Sequence, residues 1–134
     1  MIGIVVVAHG GLAPELVAAV EHVVGPLQQV RAVSTAPADD LRIKQAEINQ
    51  AVATVDGGDG VALVTDMFGG TPCNLAIGAM LSERIEVVYG ANLPMLVKLA
   101  KMREHHLQDA IDAAIDAGRK YIDGARRMLA SSSG

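Results

Sequence analysis

Short uncharged apolar runs alternate along this chain with longer stretches in which apolar residues return every third or fourth position. Residues 2–8 are rich in β-branched side chains and free of charge, as expected of a strand buried on both faces, and the run ends at His9-Gly10-Gly11. Leu16, Val17, Val20, Val23 and Val24 then follow at helical spacing, with Pro14 just inside the helix and Gly25-Pro26 as its stop. Residues 30–34 read as a weaker strand. A helix over 41–55 carries Leu41, Ala46, Ile48, Val52 and Val55, with Asp39 or Asp40 as its cap and Gly57-Gly58-Asp59-Gly60 as its end. Residues 61–65 are again an uncharged strand, followed by the loop Asp66-Met67-Phe68-Gly69-Gly70. There Thr71 is expected to cap a helix over 72–81, with Pro72 in its first position, where a missing N–H costs nothing. A fourth strand over 85–89 and a helix over 93–102 come next. From Leu107 onward Ile111, Ile115, Gly118, Ile122, Ala125 and Leu129 keep a helical period, with Asp residues early and Arg and Lys late, as a helix dipole favours.

Four strands alternating with helices predict an α/β fold: a doubly wound, mainly parallel sheet of order 2-1-3-4, helices on both faces, and right-handed crossovers. Ligands of such sheets sit at the carboxyl ends of the strands where the winding reverses. His9 and Asp66 are each the first reactive polar residue after a strand, so neighbouring first and third strands bring them face to face.

The chain has 134 residues, 51% of them hydrophobic, enough for one domain with a real core, taken as residues 1–130 with 131–134 as a frayed tail. A net charge of −4 and scattered basic residues argue against nucleic-acid binding. The lone Cys73 excludes an internal disulfide. The first apolar run is too short for a signal-peptide core or a membrane span, so the expected location is the cytoplasm, without insertion into a membrane. His22, His105 and His106 lack metal-ligand spacing; neither a metal nor another cofactor is expected. P-loop, dinucleotide and serine-hydrolase signatures are missing.

What remains is the junction around residues 65–72. Neutral imidazole keeps one nitrogen free when the other is held, and Asp66 can hold it for His9, fixing the tautomer and steadying any charge that develops. Gly69 and Gly70 allow the backbone to turn and approach closely. With Thr71 they open a helix whose bare N–H groups suit a phosphate. Met67 and Phe68, apolar side chains beside a polar crevice, suit the face of a partner protein.

Taken together, Val5-Val6-Val7-Ala8-His9-Gly10, Val64-Thr65-Asp66-Met67-Phe68-Gly69-Gly70-Thr71-Pro72-Cys73-Asn74 and Gly90-Ala91-Asn92-Leu93-Pro94-Met95 resemble the IIA domain of the mannose family of the bacterial phosphoenolpyruvate-dependent sugar phosphotransferase system. The resemblance implies a phosphocarrier. A histidine matching His9 accepts a phosphoryl group on Nε2 from phospho-HPr and passes it to a IIB component, in sugar uptake or regulation. The aspartate matching Asp66 holds the other ring nitrogen, and the loop matching Gly69, Gly70 and Thr71 helps receive the group. It also implies a homodimer, in some relatives with an exchanged C-terminal strand. Here the C-terminal segment reads as helix, and a chain ending at Gly134 leaves the IIB partner as a separate polypeptide. The alternative is a non-catalytic module that binds a phosphorylated metabolite at the same helix start.

Overall fold

The computed structural model describes residues 1–133. Its strands are β1 (Gly3–His9), β2 (Val30–Thr35), β3 (Val61–Thr65) and β4 (Ile85–Val88). The helices are α1 (Leu12–Val24), α2 (Leu41–Val55), α3 (Thr71–Gly78), α4 (Leu93–Lys101), α5 (Leu107–Lys120) and α6 (Ala125–Ser133). All strand pairs are parallel and the order is β2-β1-β3-β4, as the sequence predicts. β1 is central, with His9 opposite Thr35 of β2 and Val7 opposite Thr65 of β3.

Side chains alternate across a strand, so the unbroken apolar run of β1 supplies two cores. Ile2, Ile4, Val6 and Ala8 pack with residues of α1, α4 and α5, among them Val20, Leu96, Leu99 and Ile111. Val5 and Val7 pack on the other face with Ile48, Val52 and Val55 of α2 and Leu75 and Ala76 of α3. The chain leaves β1 toward β2 on one side and returns across it to β3 on the other. The reversal of winding therefore lies at the carboxyl ends of β1 and β3, where His9 and Asp66 stand.

The opposite edge is closed by Arg103, a buried cation that donates from Nε to the Ile2 carbonyl at 2.8 Å and from Nη2 to the Gln29 carbonyl at 3.1 Å. These bonds satisfy a group that would otherwise be costly to bury and tie the end of α4 to the start of β1.

The structure departs from expectation at several element boundaries. Gly70, not Thr71, occupies the cap position of α3, because the extended backbone at Gly70 already starts the helix; Thr71 is its first residue and Pro72 its second. The continuous C-terminal helix is broken between α5 and α6. Asp123 accepts a hydrogen bond from the Gly124 N–H at 2.7 Å, a local bond that competes with the helix ladder, and Arg127 lies 3.4 Å from the same carboxylate one turn into α6. Of the four-residue tail, 131–133 belong to α6 and Gly134 lies outside the described residues. Between Asp39 and Asp40 the cap is Asp40, which accepts from the Arg42 and Ile43 N–H groups, while Asp39 accepts from Ala36 in the preceding loop.

Candidate functional site at the carboxyl ends of β1 and β3

His9 closes β1, and the chain turns at once through Gly10, whose φ of +57° is the left-handed conformation that glycine tolerates best. The Gly10 N–H donates to the Thr35 carbonyl at 2.8 Å, and the Thr35 hydroxyl donates to the Ala8 carbonyl at 3.2 Å. The end of β2 thus fixes the backbone that carries the imidazole.

Asp66 is held from two sides. Its Oδ2 accepts the His9 backbone N–H at 3.0 Å and lies 2.8 Å from His9 Nδ1, while Oδ1 accepts the Met67 N–H at 3.0 Å. The aspartate side chain is 12% exposed and the histidine side chain 50%. Burial by itself would push the Asp66 carboxyl up. The hydrogen bonds from His9, backbone and ring, outweigh it and hold the carboxyl below its ordinary value of 3.8. An ionised carboxylate only accepts, so a neutral His9 ring carries its proton on Nδ1 and presents a lone pair at Nε2.

That free nitrogen lies over Gly70. A Cβ built on Gly70 would fall 2.9 Å from His9 Cε1 and 3.2 Å from Nε2, so glycine is needed there for space, since its φ of −86° is open to any residue. Gly69 is different: its φ is +87° and nothing lies within 4 Å of the position a Cβ would take. Glycine serves there for the turn. Among the described residues the backbone N–H groups of Phe68, Gly69, Gly70 and Thr71 donate to no backbone or side-chain acceptor. Bare amides at the start of α3, beside an exposed imidazole lone pair, can stabilise an anionic group bound to that nitrogen. No group of three or more His, Cys, Asp or Glu side chains among the described residues could hold a metal ion.

The sequence from residue 3 to residue 116 matches the EIIA-man family, described as PTS system fructose IIA component. The chain belongs to the EIIA-man family. The mannose-specific EIIAB component of Escherichia coli K12 is 29% identical over 124 residues, which cover 90% of this chain and 38% of that protein. The chain thus spans well under half the length of that relative. The fructose-specific EIIA component of Bacillus subtilis is 27% identical over 106 residues, 78% of this chain and 73% of the relative. The crystal structure of phosphotransferase system component EIIA from Streptococcus agalactiae superposes with a TM-score of 0.85 at 23% identity, covering 95% of this chain and 99% of that one; it shares the fold.

Within this EIIA-man chain the structure brings His9, Asp66 and Gly70 together and sets Thr71, exposed, at the first position of α3. Met67 and Phe68 are exposed at the tip of the same loop. Two neighbours escape a reading of the sequence alone. Tyr89, expected to end the fourth strand, lies beyond it and packs its ring on Phe68, with centroids 4.9 Å apart and planes inclined at 51°. Thr65, fully buried on the sheet face that also carries Val7, has a hydroxyl with no hydrogen-bond partner among the described residues.

Proposed function

We propose that this protein is a phosphocarrier of a sugar phosphotransferase system, taking a phosphoryl group from phospho-HPr on His9 and passing it to a IIB protein. The observation that carries this reading is the half-exposed His9 ring, gripped at Nδ1 by Asp66 with Nε2 free over Gly70. The Nε2 lone pair forms the new N–P bond while the bond to the donor's imidazole breaks and its electron pair stays with the donor nitrogen. His9 keeps its proton on Nδ1 and becomes cationic, and the Asp66 carboxylate 2.8 Å away balances that charge. The amides of Gly69, Gly70 and Thr71 serve the equatorial oxygens, which carry most of the charge in a loose phosphoryl-transfer transition state. Transfer onward to a IIB histidine is the same step reversed with a new acceptor. Met67 and Phe68, exposed beside the ring, are contact residues for both partners.

No helix among the described residues is long and apolar enough to cross a membrane, which suits work in the cytoplasm beside soluble partners. The reading includes a homodimer. β4 is an edge strand whose Val87 N–H meets only the Glu86 carboxylate, at 2.9 Å. Beside it a groove of about 510 Å³ is lined by Val87, Tyr89, Ile111, Ile115 and Ile122 together with the polar Glu86, Asn92, Gln108 and Arg119, a mixed surface a second copy would cover.

The test is incubation with labelled phosphoenolpyruvate, enzyme I and HPr. The carrier gains an acid-labile phosphate, absent from His9→Ala, that moves to a IIB protein when one is added. A folded protein that takes up no label, yet binds a phosphorylated sugar at the α3 start, is instead a binding module.

A further inference from the structure

The phosphoryl-receiving loop is held firmly at its ends and weakly at its tip. At one end Asp66 is bonded to His9, and the Thr65 carbonyl accepts the Ala91 N–H at 3.0 Å. At the other end Asn74 donates to the Gly70 carbonyl at 3.0 Å as α3 begins. Between them Phe68 and Gly69 make no hydrogen bond through their N–H groups, and Gly69 sits in the left-handed region, which favours turning but does not fix it. Phe68 is 67% exposed, so little of the hydrophobic effect anchors it. Its ring packs on that of Tyr89, with centroids 4.9 Å apart and planes at 51°, within the tilted geometry that aromatic pairs favour.

Tyr89 is well placed to hold another chain segment still. It follows β4 directly and precedes Gly90, whose φ is +85°, and Ala91, whose N–H is tied back to Thr65. Asn92 then caps α4 by accepting the Met95 N–H at 3.0 Å, and its Nδ2 donates to the Gly118 carbonyl of α5 at 3.0 Å. The turn that carries Tyr89 is therefore bonded to β3, α4 and α5.

We propose that Tyr89 is a positioning residue for phosphoryl transfer, its ring bracing Phe68 so that the amides of Gly69, Gly70 and Thr71 stay turned toward His9 Nε2. This rests on the phosphocarrier reading. The brace needs the ring and not the hydroxyl, which has no hydrogen-bond partner among the described residues, so Tyr89→Phe keeps it and Tyr89→Ala removes it.

Two measurements on the full chain test the brace. The first is the equilibrium of phosphoryl exchange with phospho-HPr. Loss of a docking contact alters both directions of exchange equally and leaves the equilibrium alone, whereas loss of amides that hold the bound phosphoryl shifts it back toward HPr. Tyr89→Ala is expected to shift it about two- to tenfold, the range an aromatic pair can supply, and Tyr89→Phe to match the parent. The second is backbone ¹⁵N relaxation of the unphosphorylated protein. Order parameters at Phe68, Gly69 and Gly70 should fall in Tyr89→Ala from rigid values near about 0.85 toward about 0.6, and stay at the parent level in Tyr89→Phe. Unchanged order parameters in Tyr89→Ala, or loosened ones with an unchanged equilibrium, overturn the proposal. If the parent takes no phosphoryl group at all, the phosphocarrier reading fails first, and the relaxation data still decide whether Tyr89 orders the loop.

Discussion

At the scale of single residues, the site depends on small groups that leave room and on polar groups that are paired. Gly70→Ala places a methyl against the His9 ring, 2.9 Å from Cε1, and must move either the imidazole or the loop. Phosphorylation of the variant is expected to slow by about tenfold or more, since misplacing a reacting atom by a fraction of an ångström is costly. Gly69→Ala should show the opposite balance, losing about 1 kcal/mol of stability to its left-handed φ while adding a methyl to open space. Equal rates for Gly70→Ala and the parent would contradict the close approach. Thr65 offers a converse case. Its buried hydroxyl has no partner, so Thr65→Val should raise the unfolding free energy by about 1 kcal/mol in urea titration. A loss of stability would mean the hydroxyl is bonded in solution. The meeting of His9 and Asp66 was legible in the sequence because each is the first reactive polar residue at the end of an apolar run. Tyr89 was not, because an aromatic residue continuing a β-branched run looks like more strand.

At the scale of elements, alternation and turn chemistry carried most of the information. Strand and helix boundaries fall within a few residues of where apolar period, Gly and Pro place them, apart from α3, which ends at Gly78, and the C-terminal segment. There the apolar period persists through 121–124, and the break shows in local hydrogen bonds: the Tyr121 and Ile122 N–H groups both donate to the Arg119 carbonyl, and the Gly124 N–H donates to the Asp123 carboxylate. Periodicity counts residues and is blind to such a bond. The helix start of α3 shows a similar limit: Thr-Pro reads as cap and first residue, but Gly70 can take the extended cap conformation and the frame moves by one. Asn92 joins two elements by capping α4 and donating to α5. Asn92→Ala should cost about 1–3 kcal/mol, the sum of a lost cap and an unsatisfied Gly118 carbonyl, read as a shift of the urea midpoint at constant slope. A cost under a few tenths of a kcal/mol would show that α4 and α5 are held by their apolar contacts alone.

At the scale of the whole molecule, the Asp66 carboxylate makes stability depend on pH on the acid side. Asp66, at the site, has its folded value below 3.8, so its contribution is complete above the ordinary carboxylate range and is lost as pH falls through the folded value. Asp66→Asn should flatten the acid side of the profile. An acid limb of unchanged slope in Asp66→Asn would show that the carboxylate is not paired in solution. The Asp66 carboxylate that stabilises the fold in this way also lies 2.8 Å from His9 Nδ1, so the same group holds the imidazole ring.

The most direct measurement is ³¹P and ¹⁵N NMR of the protein after phosphorylation through phosphoenolpyruvate, enzyme I and HPr. The expected result is a single phosphohistidine, bonded through Nε2 of His9 with the proton kept on Nδ1 beside Asp66. Phosphate on Nδ1, on another residue, or nowhere in a folded sample would contradict the arrangement of ring, carboxylate and amides described above.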